Sequence, residues 1–128
     1  MTDTTAREWR LVPEQRRLGP MQMALEEVAA ETAASGGPRT VRVYTWEPST
    51  LSLGYRQAPE TVDWEYCEAN EVTVTRRPTG GGGIYHDSHG DISYSIVAPE
   101  TELPGDLMEC YELLCTPVLD AFERMGID

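Results

Sequence analysis

The chain has 128 residues, 40% of them hydrophobic and 25% charged, which suffices for one domain with a single core and is too apolar for a disordered acidic tail. Twenty-two acidic residues oppose ten basic ones, a formal net charge of −12, and all ten basic residues are arginines because lysine is absent. This charge argues against nucleic acid and anionic membranes as partners, and it is typical of proteins that stay hydrated in concentrated salt.

Targeting segments and disulfides are also not expected. No apolar run reaches the roughly 20 residues of a membrane span, and the N-terminal residues 1–5 do not form a signal peptide, so we expect a cytoplasmic protein. Three cysteines, Cys67, Cys110 and Cys115, cannot all pair and have no CxxC spacing. They are therefore expected to be reduced thiols, without a disulfide framework or a zinc site.

The first predicted elements are a short strand at Trp9–Val12 and a helix that Pro20 opens and Gly36 ends. Apolar residues at i, i+3, i+4 and i+7 predict the buried face of this helix. That face comprises Met21, Ala24, Leu25, Val28 and Thr32. Glu26 and Glu27 lie beside it and are expected on a solvated face.

Four short strands with alternating side chains follow the first helix. They are predicted at Thr40–Trp46, Thr50–Tyr55, Val72–Arg76 and Ile92–Ile96. A short helix at Val62–Ala69 is expected between the second and third of these strands, with Asn70 as its left-handed cap.

The last predicted helix begins after Gly105, with Asp106 as its N-cap and Glu109 three residues later. Pro117 is expected to kink or divide it, and Gly126 to end it. Its apolar face comprises Leu107, Tyr111, Leu114, Val118, Phe122 and Met125. The whole pattern predicts an α+β fold with a mostly antiparallel sheet and flanking helices. Because a strand is expected where the chain stops, we expect this face and the sheet to lack further partners.

The segment most informative about function runs from Arg76 to Asp91 and reads RRPTGGGGIYHDSHGD. Two arginines leave a strand and meet four glycines. Glycine lets the backbone approach a ligand closely with its N–H groups aimed at an anion, and Arg77 adds a planar fork suited to phosphate or carboxylate. This pattern predicts a site for a negatively charged small molecule, although a glycine run also fits a mobile hairpin tip.

Other chemistries fit the same segment less well. It lacks the GK[ST] of a Walker motif and does not open a helix as GxGxxG does. His86 and His89, with Asp87, offer a metal ion no clear third ligand. Ser88 lies near a histidine but outside a nucleophile elbow. We therefore expect neither a metal site nor a hydrolase triad.

The motif Arg-Arg-x-x-Gly-Gly-Gly-x-x-Tyr-His-Asp at residues 76–87 resembles the signature of the lipoate–protein ligase A family, within the wider biotin and lipoate ligase and octanoyltransferase superfamily. Four companion segments occur in the same order as in that family, so the resemblance extends from about Trp9 to Gly126. These segments are Met23–Glu27, Trp46–Pro48, Ser52–Gln57 and Gly90–Ser95.

The resemblance implies that residues 1–128 are one truncated catalytic domain with a class II synthetase-like fold. The implied reaction is activation of lipoate by ATP with Mg²⁺ to lipoyl-AMP, followed by transfer to a lysine of a lipoyl carrier domain of the 2-oxoacid dehydrogenase E2 or glycine-cleavage H protein type. Arg77 would then contact phosphate, and the other implied residues would line or hydrogen-bond the nucleotide and acyl chain. Those residues are Thr79, Gly82, Gly83, Ile84, Tyr85 and His86, with Arg76 and Asp91 in support.

The chain also departs from the family pattern. Asp91 stands where many ligases have Asn, and Gly83 where Ala is more usual. The lysine of the ligases and the cysteine of the octanoyltransferases both lie downstream, whereas Cys110 and Cys115 fall on the last predicted helix. We therefore expect no catalytic residue within the chain. Three hypotheses stay open: a ligase completed by a missing or separate C-terminal part, an octanoyl or lipoyl transferase acting through a thioester, and a non-catalytic module that binds acyl-adenylate or the carrier domain.

Overall fold

The computed structural model describes residues 8–128, so the expectation that the N-terminal residues form no signal peptide lies outside the described residues. The strands are β1 (Trp9–Arg17), β2 (Arg39–Trp46), β3 (Thr50–Leu53), β4 (Thr73–Arg76), β5 (Ile84–His86) and β6 (Ser93–Val97). The helices are α1 (Gly19–Ala34), α2 (Trp64–Ala69) and α3 (Leu107–Arg124). In this part of the chain no helix is long and apolar enough to cross a membrane.

The strands form two three-stranded sheets, in the orders β1-β2-β6 and β4-β3-β5. In each sheet the central strand has one parallel and one antiparallel neighbour: β1 and β4 are the parallel ones, β6 and β5 the antiparallel ones. The α+β fold is thus confirmed, while antiparallel pairing accounts for only half of the pairings between residues 8 and 128. β5 was not expected, and β1 extends five residues beyond the predicted strand, through a register shift between Val12 and Gln15.

Helix α1 begins and ends as predicted, with Pro20 in its first turn and Gly36 in the left-handed region after it. Its predicted buried face is wrong, because Met21 and Val28 are 48% and 54% exposed. The residues of α1 that are buried are Gly19, Gln22, Met23, Ala29 and Ala33. The helix is rotated towards polar groups because it covers a polar stretch of β2.

That polar stretch is organised by Arg42, which is buried and paired with Glu26 of α1 at 2.6 Å. The other guanidinium nitrogen donates to Gln22 Oε1, while Gln22 Nε2 donates to the Thr45 carbonyl at 2.9 Å. Glu26 also accepts a hydrogen bond of 2.7 Å from Ser95 Oγ. The expectation that Glu26 lies on a solvated face is therefore wrong: its side chain is 17% exposed and compensates a buried cation.

Two apolar clusters flank this polar layer. Met23, Tyr44 and Trp46 form the first, between α1 and β2. Leu53, Val62 and Cys67 form the second, between β3 and α2, with Leu51, Val72 and Val74 packed against it. All three cysteines are free thiols, as expected, and Cys67 is buried.

The caps of the two later helices follow local rules with one exception. Asp106 accepts from the backbone N–H of Glu109 at 3.2 Å, as the capping pattern predicts, and Gly126 ends α3 with φ +79°. Helix α3 continues through Pro117 and is not divided. Asn70 is not left-handed, with φ −110°; the left-handed residue is its neighbour Glu71, with φ 55°.

Helix α3 and the first sheet enclose an apolar groove of about 780 Å³. The strands contribute Trp9, Val41, Val43, Tyr94 and Ile96, with Ile92 just before β6. The helix contributes Pro117, Val118, Ala121 and Phe122, with its C-cap Met125. Phe122 remains 45% exposed, which agrees with the expectation of exposed apolar surface on this face.

Candidate ligand-binding site

The glycine loop, residues 77–83, connects β4 to β5 and lies against the end of β3. The Arg77 N–H donates to the Leu53 carbonyl at 2.8 Å, and the Tyr55 N–H donates to the Thr79 carbonyl at 2.8 Å. These two bonds continue the pairing of the second sheet beyond its strands. They favour a defined turn over a mobile hairpin tip.

Gly54 at the end of β3 makes this close approach possible. A Cβ at Gly54 would lie 1.8 Å from the Gly81 carbonyl oxygen, so only glycine fits there. Gly81 itself has φ +96°, which L side chains rarely adopt. A Cβ at Gly80 or Gly82 would instead meet no atom within 4 Å. Gly54 and Gly81 are thus required by the fold, whereas Gly80 and Gly82 face open space.

Arg77 stabilises the loop from within. Its Nη1 donates to the Ser52 carbonyl at 2.7 Å and to Ser52 Oγ at 2.9 Å, and its Nη2 donates to the carbonyls of Gly80 and Gly82 at 2.9 and 2.8 Å. Both terminal nitrogens are therefore engaged with the chain's own oxygens. The phosphate contact implied for Arg77 stays a prediction, and it requires Nε or an exchange of one of these partners.

Arg76 supports the neighbouring turn. Its Nη1 lies within hydrogen-bond distance of the carbonyl oxygens of Gly54, Tyr55 and Gln57, at 2.8, 3.1 and 2.8 Å. The Gln57 side chain accepts from the Gly54 N–H at 3.1 Å. Arg76 thus ties the turn after β3 to the end of β4, and the supporting role in ligand binding implied for it stays a prediction.

His86 points into the protein. It is 7% exposed, and its ring stacks on Trp46 with 4.0 Å between centroids and 15° between planes. Its Nε2 lies 2.9 Å from Ser52 Oγ and its Nδ1 2.5 Å from Asp91 Oδ2. His86 and Asp91 are thus brought together behind the glycine loop. Sequence reasoning missed Ser52, whose only signal was its place in the Ser52–Gln57 companion segment.

The remaining implied residues lie at the surface. Thr79 and Gly82 are exposed, and Gly83 packs close to Gln57 and Leu51. Ile84 pairs with Ser52 and Tyr85 with Leu51, and successive strand residues point to opposite faces. The half-exposed side chains of Ile84 and Tyr85 therefore do not line one common wall.

The side chains that could ligate a metal ion or act as nucleophiles lie apart from the glycine loop or from one another. Among residues 8–128, no group of three or more His, Cys, Asp or Glu side chains is arranged to hold a metal ion. His89 is exposed, and the Ser88 N–H donates to Ser49 Oγ at 2.9 Å. Cys110, near the start of α3, lies 3.0 Å from the Pro104 carbonyl and lines a groove to which the glycine loop does not contribute.

Tyr44 lies next to Trp46, the ring on which His86 stacks. Burial raises the pKa of this phenol to about 12, with the nearby Glu26 carboxylate also raising it and Arg42 lowering it. The Arg42 guanidinium carbon lies 4.4 Å from the centre of the Tyr44 ring. The phenol therefore stays neutral at physiological pH.

The arrangement as a whole is suited to binding. The N–H groups of Gly80, Gly81 and Gly82 find no acceptor among the described residues, so they are available to an oxygen-bearing ligand. The chain has no lysine, and its only histidine beside the loop is buried.

Comparison with known proteins identifies a family whose model matches most of the chain. The model of the lipoyl protein ligase A/B catalytic domain matches residues 19–128. The octanoyltransferase LipM of Halalkalibacterium halodurans is 33% identical over 124 residues, which are 94% of this chain and 44% of that protein. The chain thus spans less than half the length of this relative.

Two solved structures match with similar coverage. Lipoate-protein ligase A bound with ATP has a TM-score of 0.81 and 28% identity, covering 94% of this chain and 48% of that one. A bi-partite lipoate protein ligase of Thermoplasma acidophilum, studied with its E2 lipoyl domain, has a TM-score of 0.73 and 27% identity, covering 96% of this chain and 48% of that one.

Proposed function

Because the chain belongs to the lipoyl protein ligase A/B catalytic-domain family, we propose that it is the ligand-binding part of an enzyme that transfers an octanoyl or lipoyl group to a lysine of a lipoyl carrier domain. The observation that carries this proposal is the glycine loop, whose backbone is tied to β3 and to Arg77. Within residues 8–128 its N–H groups at Gly80 and Gly82 have no acceptor, and they lie beside open space. Such groups suit the carbonyl oxygen of an acyl group.

Octanoyl transfer from a thioester is the preferred reaction, in place of the ATP-dependent ligation that the sequence resemblance put first. The relative from Halalkalibacterium halodurans is an octanoyltransferase. Arg77, the residue expected to contact phosphate, also has both terminal nitrogens bonded to Ser52, Gly80 and Gly82. In this reaction an enzyme thiol first takes the octanoyl group and releases the donor thiol. The lysine amine of the carrier then displaces the enzyme thiol as the amide forms, so no nucleotide is needed.

The chain supplies binding and orientation but not the reacting groups. It contains no lysine, Cys67 is buried in an apolar cluster, and Cys110 and Cys115 lie on α3. We propose that the remaining part of the protein, which this chain does not include, contributes the nucleophile. The bi-partite ligase of Thermoplasma acidophilum is a precedent for an enzyme of this family built from two parts.

Lipoate activation by ATP is the second candidate. It is favoured by the similarity to lipoate-protein ligase A bound with ATP. In that case Arg77 would contact a nucleotide phosphate through Nε, or through a terminal nitrogen released from one of its loop carbonyls, and ATP with Mg²⁺ would supply the activation of the acid.

The test is an acyl-transfer assay with the protein and its complementary part. A lipoyl carrier domain is incubated with an octanoyl thioester donor, or with free octanoate or lipoate, each with and without ATP and Mg²⁺. Mass spectrometry then measures acylation of the carrier. A carrier whose acceptor lysine is replaced by arginine is the control.

Acylation from the thioester without ATP is the expected result. Acylation only from the free acid with ATP would replace the transferase proposal by the ligase. If the wild-type carrier is acylated under neither condition, the chain is a non-catalytic binding module, and the enzymatic proposal is wrong.

A further inference from the structure

Four side chains, Asp91, His86, Ser52 and Arg77, form a continuous series of hydrogen bonds that ends at the glycine loop. Arg77 Nη1 lies 2.9 Å from Ser52 Oγ, Ser52 Oγ lies 2.9 Å from His86 Nε2, and His86 Nδ1 lies 2.5 Å from Asp91 Oδ2. Ser52 is fully buried, and His86 is covered by the Trp46 ring. Because Ser52 is fully buried, water is kept from its hydrogen bonds to His86 and Arg77.

The direction of each hydrogen bond follows from the chemistry of the groups. Arginine has donors only, so Ser52 Oγ accepts from Arg77. The Ser52 hydroxyl proton then has His86 Nε2 as its acceptor. A ring nitrogen that accepts carries no proton in neutral histidine, so Nδ1 carries it and donates to Asp91. This is the opposite of the tautomer that free imidazole side chains prefer in water.

We propose that Ser52, His86 and Asp91 are positioning residues that hold Arg77, and through it the glycine loop, in the ligand-binding conformation. Asp91 selects the Nδ1–H tautomer, His86 turns the Ser52 hydroxyl proton away from Arg77, and the Ser52 lone pair then faces the guanidinium. With Nη1 fixed in this way, Nη2 is aimed at the carbonyls of Gly80 and Gly82. The consequence for ligand binding rests on the proposed function, whereas the tautomer and the order of the loop do not.

The first test measures the tautomer in the unmodified chain by two-bond ¹H–¹⁵N correlation of the imidazole rings. The chain has only two histidines, and the exposed His89 is an internal reference. His86 is expected to show a protonated Nδ1 and an unprotonated Nε2, while His89 shows the ordinary mixture. A His86 ring protonated at Nε2 at neutral pH would overturn the proposal.

The second test measures the order of the loop by ¹⁵N relaxation of Gly80, Gly81 and Gly82. In Ser52→Ala the order parameters are expected to fall from about 0.85 to below about 0.6, the range of flexible backbone. Thr50→Ala is the matched control, because Thr50 is equally buried on the same strand but its hydroxyl donates to the Pro48 carbonyl instead. Equal order parameters in Ser52→Ala and the control would contradict the positioning role.

A third test compares two substitutions of Asp91, which is only partly buried, so the test does not depend on replacing a fully buried residue. Asp91→Asn keeps an oxygen that accepts from Nδ1–H, so the tautomer and the order of the loop should be retained. Asp91→Ala should lose both. If Asp91→Ala behaves like Asp91→Asn, Asp91 does not act through the tautomer and the proposal is wrong.

The outcomes separate this inference from the proposed function. If the tautomer and loop order are as expected but no carrier acylation is found, the proposed function fails and the positioning chain stands. If acylation is found while Ser52→Ala keeps an ordered loop, the positioning chain fails and the proposed function stands.

Discussion

Gly54→Ala is the substitution whose effect the structure determines most directly. The added methyl group would lie 1.8 Å from the Gly81 carbonyl oxygen and 2.8 Å from its carbonyl carbon. Real Cβ contacts essentially never fall below 3.0 Å, so the two backbone segments must separate by about 1.2 Å. Both are backbone, and no flexible side chain can absorb this movement.

The cost of the separation follows from the contacts that it breaks. The Tyr55–Thr79 backbone bond joins the two separating segments directly. The Arg77 guanidinium joins them indirectly, because its Nη1 is bonded to Ser52 of β3 and its Nη2 to the loop carbonyls of Gly80 and Gly82. A backbone hydrogen bond contributes about 1 kcal/mol net, and a charge-assisted bond about 1.5–3 kcal/mol when its groups stay dry. Because water reaches the exposed loop carbonyls, we expect a total loss of about 2–3 kcal/mol. In a chain of this length that loss corresponds to a fall in Tm of roughly 5–15 °C.

The assay is thermal unfolding of Gly54→Ala, followed by circular dichroism, beside Gly82→Ala. A Cβ at Gly82 meets nothing within 4 Å, and its φ lies outside the left-handed region, so its Tm should stay close to that of the wild type. If Gly54→Ala also unfolded at the wild-type temperature with an ordered loop, the packing of the loop on β3 described above would be wrong.

Three further predictions concern the interior and the surface charge. Glu26→Leu should lower the free energy of unfolding in urea by about 3–5 kcal/mol, because it leaves buried Arg42 without its carboxylate. Glu26→Gln should lower it clearly less, and equal losses would contradict a role for the ion pair. Burial raises the pKa of Tyr44 from 10.0 to about 12, so the neutral phenol is favoured in the folded protein. The free energy of unfolding should therefore be unaffected by this group below pH 10 and should fall by roughly 2–3 kcal/mol as the pH rises from 10 to 12. Urea unfolding across this window should show a smaller loss for Tyr44→Phe, and an identical loss would refute the assignment. With a net charge of −12, the Tm should rise between dilute buffer and molar KCl; a constant Tm would count against salt adaptation.

Much of this protein was readable from local sequence signals. The start of α1 at Pro20, the cap at Asp106 and the end of α3 at Gly126 depend on residues within a turn of each other, and they lie where expected. The α+β class was predicted from the order of the helices and strands, and the family from the glycine motif with its companion segments. Local chemistry suffices for these features because each is stabilised by its own segment.

The buried face of α1 was decided only by the tertiary structure. Apolar spacing favoured Met21 and Val28, but the helix turns Gln22 and Glu26 inwards. The reason is Arg42, which lies on β2 and is buried when the helix covers it. A buried guanidinium needs acceptors, and satisfying it outweighs the exposure of two apolar side chains.

The inner part of the site was likewise invisible in the sequence. Arg77 and His86 were recognised as site residues, yet their common partner is Ser52, which lies 25 residues before Arg77 and 34 before His86. Strand β5 places His86 opposite β3, and the absence of a Cβ at Gly54 lets the glycine loop pack against the end of β3. The sequence by itself predicted that Arg77 and His86 belong to one glycine-loop site. Their partners and the directions of their side chains were decided by strand pairing, because contacts between distant segments exist only after the chain has folded.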